Sequence, residues 1–325
     1  MDVLFGPPDT EVDSMRRTIV ASLAILASVI LVQPARASNM TYLALGDSVA
    51  FGETDFTQNP SNGNRGYVAD YANFLASQNG GVAPNVVNLG IDGETTTSFL
   101  TGTGRVISIP GMTDKQLAAW NTNYTDPTVS QNQMLQQEIR SAAASGNGVG
   151  VITISLGAND LFKLAADPAF LTGTPDVQKA MLTSTLNLIG STYAVLLAEI
   201  HQLDPTAKVF AVGEYNPFPA NPNNPLGAIA GKAIMGLNAT IQSVAGSWGA
   251  TYVDTFTPFV GHEAQFTLMS PTSDNVHPNA TGYQAIASAI EAASVPEPST
   301  LAVMGFGFVA LAATARRRAR RDRAA

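Results

Sequence analysis

The chain has 325 residues, 45% of them hydrophobic and 13% charged, with 17 basic and 25 acidic side chains and no cysteine. That apolar content supports a sizeable core and excludes a disordered chain. The absence of cysteine excludes disulfides, thiolate metal sites and a cysteine nucleophile.

An acidic leader, Met1 to Ser14, precedes "MRRTIVASLAILASVILVQPARAS". Two arginines, an apolar run from Ile19 to Val32 and Ala35-Arg36-Ala37 form the layout of a secretory signal peptide, with cleavage after Ala37. A buried N-terminal helix is the competing reading. The acidic leader does not fit a basic n-region, so translation from Met15 is expected, or the leader is a harmless extension.

Five apolar runs follow, each ending in a polar or glycine-rich turn: "TYLAL" (41–45), "NVVNL" (85–89), "GVGVITISL" (148–156), "AKVFAV" (207–212) and "ATYVDT" (250–255). Continuous apolar runs without strict alternation predict strands buried on both faces, as in a parallel sheet. Helical spacing lies between them, at 67–78, at 176–203 with Asp176 as the expected N-cap, at 226–248 and at 279–293. The pattern predicts an α/β fold: a three-layer α/β/α sandwich on a mostly parallel five-stranded sheet. Chemistry in such folds gathers at the carboxyl ends of the strands. The stretch from Thr96 to Gly146 is the least regular, with a Gln-rich helix around 128–144. Connections this long are commonly lids or binding walls, and its apolar residues Phe99, Leu100, Ile107, Ile109 and Trp120 offer an acyl-chain wall or a structural core.

The far end, "VPEPSTLAVMGFGFVALAATARRRARRDRAA", combines a Pro-rich turn, an apolar run from Leu301 to Ala313 and six arginines. The run is shorter than the ~20 residues that span a bilayer comfortably. The three parts in this order resemble the PEP-CTERM sorting signal of Gram-negative bacteria. The resemblance implies export, recognition near Pro296-Glu297-Pro298 by exosortase-type machinery, and transient membrane association before release or attachment at the surface. The expected location is the periplasm, cell surface or extracellular space, with inner-membrane anchoring before processing. A plain C-terminal membrane anchor is the alternative. The expected organisation is leader and signal peptide 1–37, catalytic domain 38–295 and sorting segment 296–325. Without both ends, 8 basic and 19 acidic residues remain, a net charge near −11, which argues against nucleic acid or an anionic membrane as partner.

Four sites mark strand ends or the last helix: Gly46-Asp47-Ser48, Gly90 with Gly93 in "NLGIDGETT", Gly157-Ala158-Asn159-Asp160, and Asp274 with His277 in "SDNVHPNATGYQ". Alone, each has an ordinary structural role: a helix cap, a backbone turn or a surface histidine. Together they supply acyl transfer. Ser48 is the candidate nucleophile. Of three histidines, His201 lies in an amphipathic helix and His262 lacks a suitably spaced partner, which leaves His277 as base with Asp274 one turn away to orient it. Backbone N–H groups of Ser48 and Gly90 and the Asn159 amide are the candidate oxyanion donors. Asp47 is expected to be structural. "TGTGRV" at 101–106 lacks the third glycine and preceding strand of a nucleotide loop.

These blocks resemble the SGNH (GDSL-type) hydrolase family, whose Ser, Gly, Asn and His fall on Ser48, Gly90, Asn159 and His277 in chain order, from Gly46 to Pro278. Val49, where the first block commonly has leucine, is the one departure. The resemblance implies a flavodoxin-like fold and hydrolysis of esters or thioesters through an acyl-serine, with no metal and no organic cofactor. The expected activity is that of an exported esterase or lipase acting on a lipid, small ester or acylated glycan. A polysaccharide O-deacetylase or acyltransferase is the second reading, and a non-catalytic surface-binding protein the third.

Overall fold

The computed structural model describes residues 40–54, 65–107 and 109–295. The expected signal peptide and sorting segment lie outside the described residues. β1 (Thr41–Gly46) leads into a one-turn helix α1 (Ser48–Phe51) and then α2 (Tyr67–Gln78). After β2 (Asn85–Asn88), the long connection folds into α3 (Thr96–Thr101), α4 (Asp114–Trp120) and α5 (Gln131–Ala144). β3 (Val149–Ser155) is followed by α6 (Ala158–Ala166), α7 (Pro168–Leu171) and α8 (Pro175–Leu203). β4 (Lys208–Val212), α9 (Gly227–Ser247), β5 (Thr251–Val253), α10 (Phe256–Phe259), α11 (Glu263–Phe266) and α12 (Ala280–Ser294) complete the chain order.

The five strands are all parallel, in the order β2-β1-β3-β4-β5. All five expected strands and the four main helices are therefore present. The chain leaves β1 for one edge, then returns to β1's other side as β3. This reversal opens a crevice outside the carboxyl ends of β1 and β3, the favoured ligand position in open α/β sheets.

Alternation along each strand separates two cores. Tyr42 and Ala44 face one side with Tyr67 and Tyr71 of α2 and Ile286 and Ile290 of α12. Leu43 and Leu45 face the other with Leu135 of α5, Tyr193 and Leu197 of α8 and Ile241 of α9. The sandwich therefore has three layers, and its central strands β1 and β3 are buried on both faces, which is why they read as unbroken apolar runs. Val49, the departure from the resembled motif, is buried in the first core.

Two local expectations shift. Thr174, not Asp176, caps α8 by accepting the Val177 N–H at 3.4 Å, because Pro175 takes the first helical position and hands the cap to the residue before it. The long connection is more ordered than its sequence suggested: Thr95, Thr113 and Ser130 each build a capping box at the start of α3, α4 and α5.

Candidate active site

β1 delivers Gly46 and then Asp47, which caps α1. Asp47 Oδ1 accepts the Val49 N–H at 3.0 Å, and the Asp47 N–H donates to Ser155 O of β3 at 3.1 Å. Ser48 is the first residue of α1 and is 8% exposed. Its N–H and its hydroxyl have no acceptor among the described residues. From the end of β3, Gly157 starts α6 and places Asn159, whose Nδ2 donates to Asp47 Oδ2 at 3.2 Å. Asp47 thus joins the serine turn to the asparagine, the structural part expected of it.

The two glycines after β2 divide their tasks differently from the sequence expectation. Gly90's N–H donates to Asn88 Oδ1 at 2.9 Å, and Gly90 lies under α1, where a Cβ would stand 2.6 Å from Phe51 N. Gly90 therefore serves close packing and does not line the cavity beside Ser48. Gly93 does. Its φ is +71°, a Cβ would meet Val106 O at 1.9 Å, and its N–H has no acceptor among the described residues. The loop that carries it is clamped on several sides. Asp160 accepts from Thr96 N at 2.9 Å and from Thr96 Oγ1 at 2.7 Å. Glu94 Oε2 receives Arg105 Nε at 3.0 Å, with Nη2 also at 3.0 Å. Gln131 Nε2 reaches Glu94 Oε2 at 3.2 Å and Gly46 O at 2.9 Å, while Gly46 N donates to Gln131 Oε1 at 2.7 Å. Arg105 lies within "TGTGRV", and its buried guanidinium supports the loop through Glu94.

His277 lines the same cavity as Ser48 and Asn159 and is 3% exposed. Its Nδ1 meets Asn275 Oδ1 at 2.8 Å. The expected partner Asp274 instead accepts the side-chain amides of Asn221 at 2.9 Å and Asn224 at 2.8 Å. The Asp274–His277 contact is thus replaced by Asn275, because the turn directs Asp274 toward the loop after β4. Burial pushes the His277 imidazole down to about 4. Glu53, Asp92 and His277 bring ligand atoms within 4.8 Å of one another, all buried, and among the described residues this is the group with the donor set for a cation. The other histidines, 201 and 262, do not line the cavity.

The cavity holds about 440 Å³. Beyond Ser48, Gly93, Asn159 and His277, its wall is mainly apolar, with Phe162 of α6, Phe170 of α7, Leu182 of α8 and Ile234 of α9. Of the long connection only Val106 contributes. Phe99 and its neighbour Leu100 pack instead into the α5/α8 core, so the acyl-wall expectation for that segment is not met.

Residues 44–285 match the GDSL-like lipase/acylhydrolase family. The chain belongs to that family. Its members are ester-hydrolysing enzymes, and Ser48 of this GDSL-like hydrolase lines the cavity. Residues 294–321 match the PEP-CTERM protein-sorting motif, which marks exported proteins of the cell envelope. No curated protein matches the chain. A solved lipase from goat rumen metagenome is similar at 19% identity and TM-score 0.54, over 79% of this chain and 99% of that one. A putative GDSL-like lipase from Parabacteroides merdae is similar at 15% identity and TM-score 0.50, over 79% and 96%. At these identities the likeness concerns the fold.

Burial raises the Asp47 carboxyl to about 7, with Val49's N–H opposing and the nearby Asp92, Glu94 and Asp160 charges reinforcing. Burial also raises Glu94 to about 7 against the pull of Arg105. Gln131, Arg105 and Asn275 were not singled out by motif reasoning, and Gly93 was named there without a role, as a glycine three residues past the strand end.

Proposed function

We propose that this GDSL-like hydrolase is an exported serine esterase that cleaves carboxylic esters with apolar acyl groups through an acyl-Ser48 intermediate. One observation carries the reading: Ser48, Asn159 and His277 line a single cavity of about 440 Å³ whose remaining wall is mainly apolar. His277, neutral through burial, removes the Ser48 proton as Oγ attacks the ester carbonyl. Asn275 holds the ring by its Nδ1. The N–H groups of Ser48 and Gly93 and the Asn159 amide receive the oxyanion. His277 then passes the proton to the departing alkoxide as the alcohol leaves. Water attacks the acyl-serine by the same route, releasing the acid and restoring the serine proton.

The wall favours an acyl chain over the hydroxyl-rich surface of a glycan, which places the deacetylase reading second. A non-catalytic binding role is disfavoured because all four chemical blocks remain. Export is proposed to begin with cleavage after Ala37, and exosortase-type machinery is proposed to act near Pro296-Glu297-Pro298. The secreted core, 38–295, is proposed to be the catalytic unit.

The test is Ser48→Ala with p-nitrophenyl esters from acetate to dodecanoate, alongside a fluorophosphonate probe. Turnover and labelling should both vanish in the variant, and octanoate should outrun acetate in the wild type. Retained turnover would remove Ser48 from its role. A preference for acetate and acetylated glycans would favour the deacetylase.

A further inference from the structure

Glu214 follows β4 at the carboxyl edge of the sheet and lines the cavity among Tyr215, Phe218, Ile234 and Val276. It is 3% exposed, and its Oε1 has no hydrogen-bond partner. Its backbone is held on both sides by one amide: Glu214 N donates to Asn238 Oδ1 at 2.7 Å, and Asn238 Nδ2 donates to Glu214 O at 2.8 Å. The position of this carboxyl is therefore set by the scaffold, independently of its own side-chain bonding. An unsatisfied buried polar atom is costly and rare, and the residue that carries it lines the cavity.

We infer that Glu214 is a specificity residue that selects acyl groups carrying a hydroxyl, which exchanges hydrogen bonds with its carboxyl inside the otherwise apolar cavity. The inference rests on the esterase reading above and names its substrate class. β4 neighbours β3, whose following turn carries Asn159, and the apolar wall continues from Glu214 to Phe218 and Ile234. An acyl chain running from Ser48 into that wall passes the carboxyl. Burial, with the negative charge of Asp47 adding to it, holds the Glu214 acid well above the ordinary carboxylate range. The neutral acid both donates and accepts, which suits a hydroxyl. Retaining a polar group in such a wall is how a site rejects the analogue that lacks its partner.

The experiment measures kcat/KM of the full chain for p-nitrophenyl octanoate, its analogues hydroxylated at successive carbons, and the matching amino analogues. At least one hydroxylated ester should exceed octanoate by about tenfold, the scale of one buried hydrogen bond. Glu214→Leu should erase that preference and accept octanoate at least as well as wild type. Glu214→Gln, which keeps shape and a donor, should retain part of it. Thermal melts establish that each variant is folded; if the leucine variant is not, the wild-type panel and Glu214→Gln decide. Equal rates for hydroxylated and plain esters, a preference for the amino analogues, or an undiminished preference in a folded Glu214→Leu each overturn the inference while leaving the esterase reading intact. No turnover of any ester with Ser48 unlabelled overturns both.

Discussion

Gln131→Leu probes the link between the two loops that hold the backbone oxyanion donors. Gln131 is fully buried at the start of α5. Its amide bonds both backbone groups of Gly46, two residues before Ser48, and the carboxylate of Glu94, the residue after Gly93. Leucine fills similar volume without any of these bonds. Gly46 O keeps the Ile91 N–H at 3.1 Å, and Glu94 keeps Arg105. The Gly46 N–H is left with no partner. One orphaned buried donor costs about 1–3 kcal/mol, and each of the two other lost bonds about 0.5–1.5 kcal/mol. The apolar side chain returns about 1–2 kcal/mol, which leaves a net loss of about 0–5 kcal/mol with a midpoint of ~2.5 kcal/mol. At that midpoint a domain of this size loses roughly 5–10 °C of Tm. Activity should fall further than stability implies, because displacement of catalytic donors by about 1 Å can cost ~100-fold in rate. The expected result is kcat lower by about 10- to 100-fold with KM little changed, measured with p-nitrophenyl octanoate beside a calorimetric melt. Gln131→Glu should not rescue, since a carboxylate cannot donate to Gly46 O and would stand against Glu94. A Gln131→Leu protein with wild-type kcat and a Tm within about 2 °C would refute the reasoning.

Asn159→Ala should lower kcat by about 100- to 1,000-fold with a small change in KM, since its amide, held by Asp47 Oδ2 at 3.2 Å, is the proposed side-chain oxyanion donor; a loss under about fivefold would remove it from that role. Because burial lowers His277 to about 4, the neutral base persists in mild acid, so the limb of kcat/KM that reports His277 should have its midpoint near 4. The same shift makes folding stability decline as pH drops from the unfolded histidine value of about 6.5 toward 4, because the unfolded chain takes up the proton first. Asn275→Asp, which sets a carboxylate against Nδ1, should move the acid limb of kcat/KM upward by about one unit or more. An unmoved limb would show that Asn275 does not contact the ring in solution.

Sequence alone was enough to identify the five strands, the main helices and the family, and to single out a serine, an asparagine and a histidine that line one cavity. These features are local. Strands buried on both faces must be continuously apolar, and acyl transfer demands particular residue types directly after them. The C-terminal sorting motif was legible for the same reason, as an ordered run of charge and apolarity. Tertiary structure decided what depends on distance across the sheet. Gly90 and Gly93 are equally glycine in sequence, yet Gly90 is pressed against Phe51 while Gly93 opens to the cavity. Asp274 has the expected spacing from His277, but spacing does not set the turn's direction, and the ring meets Asn275. Glu214, Gln131 and Arg105 have no motif at all, because a buried polar group takes its meaning from partners far along the chain. The proposed acyl wall likewise lies on α6, α7, α8 and α9 and not on the long connection, since which apolar residues face a cavity and which fill a core is settled only when the layers pack.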